Sequence, residues 1–377
     1  MEIFMKVGII TYHAAYNFGS VLQAYATQQI IENLGCTPYM INYRIPFQRN
    51  YYGLLGYGRG IKAPIKKLMM VPQLSERKER ADRYEKFINC RMNLTKKISY
   101  PEEAKQFKDC FDLYISGSDQ IWNLHSNEFI HAGIQYMKPY LLEFTDKKKI
   151  SYASSVTNMM EEELLQLKPE LEKFSDISAR ELSASQSLSK LLDKEVPTVL
   201  DPTLLITGEK WLSIMPKVVE QYTKEPFALY YTLKNYVETK NDLTLLVKLA
   251  SQKNLKVVAL TPLVPLVKKN GVVNAASAGP WEFIDLIRRA RIIITDSYHG
   301  MLFSINLKKN FWYLQNRNGD HGIRASQLLD SLGIHGRIIN EITEADFASK
   351  VEYTNLEEEI ENQREKSIEY LNRAILG

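Results

Sequence analysis

One histidine stands where a strand-like run passes into a helix-like run. The segment from Ile292 begins with β-favouring residues, continues through small polar residues to His299, and passes through Gly300 into an apolar stretch. That order predicts strand, tight turn and helix. Histidine titrates near neutral pH, and the free N–H groups at a helix start favour bound anions. The segment therefore predicts acid catalysis beside a phosphate or carboxylate, although a histidine that only hydrogen-bonds in a turn would show the same pattern.

Two other polar residues follow predicted strands. Asp119 comes after the apolar segment Phe111 to Ser116, where it could take a proton, hold a hydroxyl or cap the next turn. Arg180 follows Asp176-Ile-Ser-Ala179, and its planar guanidinium could clamp a carboxylate or phosphate, or pair with an acid such as Glu181. The residues by themselves leave these alternatives open.

The elements that must position these residues alternate between strand and helix. Lys6 to Thr11 predicts a strand, Ser20 to Leu34 a helix and Pro38 to Tyr43 a second strand. This β-loop-α-β unit is typical of parallel sheets, whose ligands bind beyond the carboxyl ends of the strands. The loop that carries Asn17 therefore faces a predicted site. The second half repeats the alternation, with strands predicted at Phe227 to Thr232, Lys256 to Thr261, Arg291 to Thr295 and Phe311 to Leu314.

The length predicts more than one domain. A chain of 377 residues, of which 45% are hydrophobic, can fill two cores. We predict an α/β protein with an N-terminal Rossmann-like domain over residues 1–205, which carries a basic insertion at 45–100. A C-terminal Rossmann-like domain follows over residues 206–345, and a helix over 346–377 packs across the body.

The charge pattern excludes some partners and leaves others open. A net charge of +4 without a nucleic-acid-binding motif predicts no nucleic-acid partner. Residues 59–97 hold twelve Lys or Arg against four Asp or Glu. Peripheral contact with an anionic membrane surface is one interpretation of this segment, and a solvated helix is the more common outcome of such a charge run.

The location and redox state follow from two other features. No apolar run reaches the roughly 20 residues of a membrane span, and the N-terminus has the pattern of a first strand. The expected location is the cytoplasm, with the inner face of the membrane as the alternative. Three cysteines without close pairing predict neither a disulfide framework nor a structural zinc site.

Five short motifs occur in an order that resembles the polysaccharide pyruvyl transferase family. They are Asn17-Phe-Gly-Ser-Val-Leu-Gln-Ala-Tyr-Ala26, Ser116-Gly-Ser-Asp-Gln-Ile-Trp122, Ile177-Ser-Ala-Arg-Glu181, Val199-Leu-Asp-Pro-Thr203 and Thr295-Asp-Ser-Tyr-His-Gly300. The resemblance implies a fold similar to GT-B glycosyltransferases, with two Rossmann-like domains facing a cleft. It also implies transfer of a pyruvyl group from phosphoenolpyruvate to two hydroxyls of a sugar in a surface polysaccharide or its lipid-linked precursor. The products would be a cyclic ketal and phosphate.

The resemblance also implies roles for individual residues. His299 is assigned to proton donation and phosphate contact, and Arg180 to the carboxylate or phosphate of the donor. Asp119 is the candidate base or hydroxyl ligand, and Ser297 and Gly300 complete the predicted donor turn. The implied reaction needs cations that bind the donor, an acid and a base, and it does not require a metal. We therefore expect no metal and no cofactor besides phosphoenolpyruvate as co-substrate.

The chain departs from the family in one place. Many members carry an arginine just before the histidine, where this chain has Ser297-Tyr298. Arg317 and Arg324, in the loop after the next predicted strand, are candidate replacements, although an exposed loop arginine is the more common outcome for either one alone. Predicted contacts to the acceptor are Asn17, Ser118, Trp122 and Tyr298.

Two other functions fit the same scaffold. A GT-B-type glycosyltransferase would use a nucleotide sugar, and the same fold would serve that donor. A carbohydrate-binding or assembly protein could retain the scaffold without turnover, which the missing arginine favours. Protection from thermal unfolding by a nucleoside diphosphate, but not by phosphoenolpyruvate, would indicate the glycosyltransferase.

Overall fold

The chain folds into two α/β units, each built on a parallel sheet, in the computed structural model of the protein. The structure describes residues 5–51, 68–217, 222–265, 267, 269–315, 321–353 and 356–377. Unit 1 comprises Met1–Asn50, Phe87–Ile206 and Ile360–Gly377, and unit 2 comprises Tyr51–Lys86 and Thr207–Glu359. This division differs from the predicted one, because much of the basic segment groups with the second unit and most of the last helix with the first.

In the part of the first half that the structure describes, there are four strands and a series of helices. The strands are β1 (Lys6–Ile10), β2 (Thr37–Met40), β3 (Leu113–Asp119) and β4 (Lys148–Ser154). The helices are α1 (Phe18–Asn33), α2 (Pro46–Tyr51), α3 (Leu74–Arg91), α4 (Asn127–Ala132), α5 (Glu161–Leu165), α6 (Lys168–Leu171), α7 (Leu182–Leu192) and α8 (Pro202–Leu205). Short 3-10 turns span Val71–Gln73, Pro101–Phe107 and Ile134–Met137.

The second half repeats this organisation. Its strands are β5 (Phe227–Tyr231), β6 (Lys256–Leu260), β7 (Val272–Asn274), β8 (Ile292–Thr295), β9 (Phe311–Leu314) and β10 (Ile338–Ile339). Its helices are α9 (Gly208–Ile214), α10 (Tyr236–Ser251), α11 (Pro280–Arg289), α12 (Tyr298–Asn306), α13 (His321–Ser331) and α14 (Leu356–Leu376), with a 3-10 turn at Ala345–Phe347.

The sheet of unit 1 runs in the order β2-β1-β3-β4, with all strands parallel. Isolated parallel bridges extend it on both sides, including Met40 with Leu94 beyond β2 and Ser154 with Ala179 beyond β4. β2 lies on one side of β1 and β3 on the other, so the chain extends the sheet first in one direction and then in the opposite one. Loops after β1 and β3 lie at the resulting switch point, where doubly wound sheets bind their ligands.

The sheet of unit 2 has the order β7-β6-β5-β8-β9-β10, again all parallel. Counted in chain order this is 3-2-1-4-5-6, the order of dinucleotide-binding Rossmann folds. Its switch point lies between β5 and β8, where Tyr231 is in register with Thr295. The Thr295-Asp-Ser-Tyr-His-Gly300 motif therefore begins at the ligand-binding edge of this sheet.

Burial explains why the central strands are apolar throughout. All five residues of β5 and all four of β8 are buried, as expected for parallel strands covered by helices on both faces. In unit 1, Trp122 and Tyr140 lie in the core cluster beside β3. Helix α14 joins unit 1, since Ser367 Oγ accepts the backbone N–H of Leu200 at 3.0 Å and the Tyr370 hydroxyl donates to the Ser151 carbonyl at 2.8 Å. Among the described residues, no helix has the length and apolarity to span a membrane.

Candidate functional site

In unit 1, the loops after β1 and β3 are held together by side chains of α1. The Ser20 hydroxyl donates to Asp119 Oδ2 at 2.7 Å. The Thr11 hydroxyl donates to the carbonyl of Ser118 at 2.8 Å and accepts from Gln23 Nε2 at 2.8 Å. Asp119 therefore lies at the switch point of the sheet, in a fixed orientation and partly exposed.

The small residues before Asp119 are required by the backbone. Gly117 has φ +119°, and a Cβ there would collide with the carbonyl oxygen of Tyr152. Asp119 itself has φ +80°, a conformation that residues other than glycine seldom adopt. The Gly-Ser-Asp sequence thus lets β3 turn sharply at its carboxyl end and presents the Asp119 carboxylate there.

Arg180 is the centre of a buried group of carboxylates. Its Nε donates to Glu181 Oε1 at 3.0 Å and its Nη1 to Asp201 Oδ2 at 2.9 Å, and its Nη2 lies 4.0 Å from Asp119 Oδ1. The guanidinium is 1% exposed. Four of the five motif segments, those with Ser20, Asp119, Arg180 and Asp201, therefore converge in unit 1.

This arrangement bears on the two roles that the sequence left open for Arg180, of which donor binding stays a prediction. Two carboxylates accept its hydrogen bonds and a third lies 4.0 Å from Nη2, so acids of this chain engage the guanidinium. The geometry fits the alternative that Arg180 pairs with acids, although in the interior and not at the surface. In this position Arg180 holds Asp119 in place.

The other predicted residues of unit 1 are placed as follows. The Asn17 side chain caps α1, accepting from the backbone N–H of Gly19 at 2.9 Å. Ser118 is fully buried and donates to the Ala153 carbonyl at 2.7 Å. Trp122 is 0% exposed, and its indole donates to the Tyr140 carbonyl at 3.0 Å. Neither Ser118 nor Trp122 offers a surface to a sugar, so both predicted acceptor contacts are replaced by structural roles.

A buried polar group beside Asp119 was not predicted from the sequence. Glu128 accepts from Gln48 Nε2 at 3.4 Å, and the Tyr12 hydroxyl lies 3.3 Å from Ser126 Oγ. Burial, and to a lesser extent the negative charge of Asp119, raises the pKa of the Glu128 carboxyl to about 7. The only sequence signal was the position of Glu128 shortly after the Ser116–Trp122 motif.

In unit 2, Asp296 ties the two strands of the switch point together. It accepts the Thr232 hydroxyl at 2.7 Å and the backbone N–H of Leu233 at 2.9 Å, both just beyond β5. Burial raises the pKa of the Asp296 carboxyl to about 6. Asp296 belongs to the motif of the His299 turn, and its role was not predicted, although an acid directly after a buried strand is a recognisable signal.

The turn between β8 and α12 has the predicted form of strand, turn and helix. Ser297 caps α12, with its hydroxyl 3.4 Å from the backbone N–H of Gly300, and its own N–H donates to Thr295 Oγ1 at 3.0 Å. A Cβ on Gly300 would lie 2.5 Å from Thr295 Oγ1, so only glycine fits between helix and strand. His299 is the second residue of this nine-residue helix and is 9% exposed.

The two predicted replacement arginines differ in what the structure shows. The Arg324 guanidinium lies 5.5 Å from the centre of the Tyr298 ring and is buried, which places it beside the residue that precedes His299. Tyr298 is buried between these groups, with its ring 5.7 Å from that of His299. Arg317 lies outside the described residues.

Helix α3 brings two further arginines to unit 2. Nη1 of Arg77 and Nη1 of Arg80 donate to the same carbonyl oxygen, that of Pro262, at 3.1 and 3.0 Å. Pro262 follows β6, so both guanidiniums lie near the carboxyl edge of the sheet. The sequence signal was the excess of positive charge in residues 59–97, for which membrane contact and a solvated face are the sequence-based interpretations.

Comparison with known proteins identifies the family. A family model for polysaccharide pyruvyl transferases matches residues 17–318, a range that contains Asp119, Arg180, Asp296 and His299. The chain belongs to this family. No curated protein sequence shows significant similarity to this polysaccharide pyruvyl transferase family member.

Solved structures establish the fold class of this family member. It is similar to the putative UDP-N-acetylglucosamine 2-epimerase of Listeria monocytogenes, with TM-score 0.54 and 8% identity over 98% of this chain and 91% of that chain. It is equally similar to the UDP-GlcNAc 2-epimerase of Neisseria meningitidis bound to UDP-GlcNAc, with TM-score 0.54 and 11% identity over 99% and 100% of the two chains. The enzyme of Methanocaldococcus jannaschii gives TM-score 0.51 and 13% identity over 98% and 99%. At this identity the similarity concerns the fold alone, and it confirms the GT-B-like class with two Rossmann-like units.

Proposed function

We propose that the protein transfers a pyruvyl group from phosphoenolpyruvate to a sugar of a surface polysaccharide or its precursor, forming a cyclic ketal. The observation that carries this proposal is the match to the polysaccharide pyruvyl transferase family across the residues of both switch points. Family membership supports a transferase that acts in polysaccharide biosynthesis. The donor and the ketal product are the parts that we propose.

The reaction has a defined balance of atoms. The methylene carbon of phosphoenolpyruvate gains a proton and becomes a methyl group, and the carbon–oxygen bond to phosphate breaks. Two sugar hydroxyls each form a bond to the carbon that carried the phosphate, and each hydroxyl loses a proton. One of these protons balances the proton gained by the methyl group, and the other leaves with phosphate or solvent.

Unit 2 has the groups that such a donor requires. The proposal assigns proton donation to His299 and anion binding to the first turn of α12, which Ser297 caps and which Gly300 joins closely to β8, because the start of a helix favours negative charge. Arg324, stacked on Tyr298, adds a positive charge close to this turn. The charged groups would stabilise the phosphate as it departs.

Unit 1 has the group that an acceptor requires. Asp119 is a fixed, partly exposed carboxylate at the carboxyl edge of a parallel sheet. We assign it to the acceptor hydroxyl as base or hydrogen-bond acceptor.

Phosphate release tests the proposal directly. The purified protein is incubated with phosphoenolpyruvate and a panel of hexose acceptors, and we expect release that depends on one class of acceptor. His299→Gln should lower the rate by at least about 100-fold, the usual contribution of a positioned acid. His335→Gln is the control, because that side chain is exposed and lies beside Asp330. Consumption of a nucleotide sugar, with no use of phosphoenolpyruvate, would indicate a glycosyltransferase instead.

A further inference from the structure

Helix α3 lies along the carboxyl edge of the unit 2 sheet. Arg77 and Arg80 contact the carbonyl of Pro262, just after β6, and Arg83 Nη1 donates to the carbonyl of Ser277 at 2.9 Å, just after β7. These residues recur every three positions and so share one face of the helix. A segment from the first half of the chain thus contributes three arginines to the edge where a Rossmann sheet binds ligands.

Arg77 and Arg80 form an unusual pair of like charges. Arg77 is 4% exposed and Arg80 is 3% exposed, and both use Nη1 on one carbonyl oxygen. Burial, and then the positive charge of Arg80, lowers the pKa of Arg77 to about 10. Two guanidiniums held this close in the interior repel each other. Their arrangement brings two guanidinium groups to one point of the sheet edge.

Arg83, on the same helix face, contacts two carboxylates as well as neutral oxygens. It pairs with Glu79 one turn earlier, and its Nε lies 3.7 Å from a carboxylate oxygen of Glu282. Its Nη1 also lies 3.2 Å from the hydroxyl of Tyr222. Arg83 therefore attaches α3 to unit 2 through carboxylates and neutral oxygens. It is the residue with which Arg77 and Arg80 are compared in the experiment below.

Strand register places the pair near the His299 turn. Tyr231 is in register with Leu260 of β6 on one side and with Thr295 of β8 on the other. Burial raises the pKa of the Tyr231 hydroxyl, and the positive charge of Arg80 acts on it in the opposite direction. Hydrogen bonding to the Ser297 side chain also acts to lower the pKa of this hydroxyl. Arg80 is thus held beyond the end of β6, and the turn that begins α12 lies beyond the end of β8, the two strands that flank β5.

We propose that Arg80, supported by Arg77, forms an anion subsite for the phosphate or carboxylate of the donor. The subsite would supply the cation that Ser297-Tyr298 lacks. It rests on the proposed function only for the identity of the donor, since a nucleoside diphosphate has the same anionic chemistry. Planar guanidiniums are the preferred protein ligands of both groups.

Binding measurements on the full chain test the subsite. Affinities of the wild type, Arg80→Met and Arg77→Met for phosphoenolpyruvate, inorganic phosphate and UDP are measured by calorimetry. We expect Arg80→Met to lower the affinity for the bound anion by about 10- to 100-fold, the usual value of hydrogen bonds to a charged group. Arg77→Met should lower this affinity less. Arg83→Met is the matched control, because it removes an arginine of the same helix face and should reduce thermal stability with unchanged affinity.

The outcomes separate the subsite from the proposed function. Unchanged affinity in both Arg80→Met and Arg77→Met, for every anion that the wild type binds, overturns the subsite. Weaker binding of UDP, in a protein that never binds phosphoenolpyruvate, supports the subsite and contradicts the proposed donor. Arg80→Lys serves if the methionine variant does not fold, because lysine keeps the charge and loses the planar fork. A loss of about threefold or more in Arg80→Lys supports the subsite, and wild-type affinity overturns it.

Discussion

Ser20 donates a hydrogen bond of 2.7 Å to the carboxylate of Asp119, a residue 99 positions later in the chain. The contact exists because β1 and β3 are neighbours in the sheet, so the helix after β1 reaches the end of β3. Together with the contact from Arg180, it fixes the Asp119 carboxylate on two sides. A fixed carboxylate loses little freedom when a hydroxyl group binds, which is the requirement for a positioned base.

Replacement of Asp119 tests its assigned role in the proposed reaction. Asp119→Asn should lower the rate of acceptor-dependent phosphate release by about 100- to 10,000-fold, since the amide cannot take a proton. Ser20→Ala should cost about tenfold, the value of one hydrogen bond to a charged group. Ser213→Ala, an exposed serine in α9, is the control. Near wild-type turnover in Asp119→Asn would rule out its role as base.

Replacement of Arg180 tests whether it is structural. Arg180→Met leaves Glu181 and Asp201 buried without this cation, so we expect the free energy of unfolding to fall by about 3–5 kcal/mol. Denaturant unfolding of the variant measures this change. Arg373→Met removes an exposed arginine of the same unit and should have little effect. Wild-type stability combined with lost affinity for phosphoenolpyruvate would support the donor-binding role of Arg180.

The raised pKa of Glu128 predicts an unusual pH dependence of stability. The folded-state value is about 7 against an ordinary value of 4.5, so the folded protein binds more protons between these pH values. The contribution of the protonated Glu128 carboxyl to folding stability is fully present below pH 4.5. It is lost as the pH rises towards 7, which changes the free energy of unfolding by roughly 3 kcal/mol.

Glu128→Gln should remove this pH-dependent loss. We expect the difference in unfolding free energy between pH 5 and pH 8 to shrink in the variant, as measured by urea denaturation at both pH values. Glu162→Gln replaces an exposed glutamate of the same unit and should retain the wild-type difference. An identical pH dependence in Glu128→Gln and the wild type would show that Glu128 titrates normally.

Substitution of Gly300 tests the fit between α12 and β8. In Gly300→Ala the new Cβ would lie 2.5 Å from Thr295 Oγ1 and 2.9 Å from Tyr231 Cδ1, so the turn must shift. We expect a loss of about 1–3 kcal/mol in stability, as for other overpacked sites, and lower donor affinity, measured by urea denaturation and calorimetry.

Gly336→Ala is the control for a destabilising glycine substitution away from this turn. Gly336 has φ +68°, and an added Cβ would have no atom within 4 Å, so the cost comes from backbone strain alone. We expect a loss of about 1–2 kcal/mol in stability and unchanged donor affinity. Wild-type donor affinity in Gly300→Ala as well would separate the α12 turn from the donor site.

Local patterns were sufficient to predict the elements around the candidate site. The apolar run Ile292 to Thr295 and the polar turn to His299 have the form that the sequence predicted. Buried parallel strands require continuous apolar residues, and this requirement can be recognised within one short segment. The short strands Val272–Asn274 and Ile338–Ile339 were missed, because two or three residues are too few to show a period.

Contacts between distant segments could not be predicted in the same way. Arg77 and Arg80 have the helical spacing of a solvated face, and nothing in their sequence neighbourhood indicates that Pro262, more than 180 positions later, is their partner. Trp122 likewise stands beside a motif yet packs in the core, because the turn after β3 directs its ring inwards. A side chain's direction depends on the backbone of its turn, which residue type alone does not determine.

Helix α14 has a consequence for the order in which the protein acquires its structure. Its side chains complete the hydrogen bonds of Leu200 and Ser151, which are synthesised long before it. Unit 1 therefore needs segments from the first and the last parts of the chain, so we expect its packing to be completed after that of unit 2, whose segments end at Glu359.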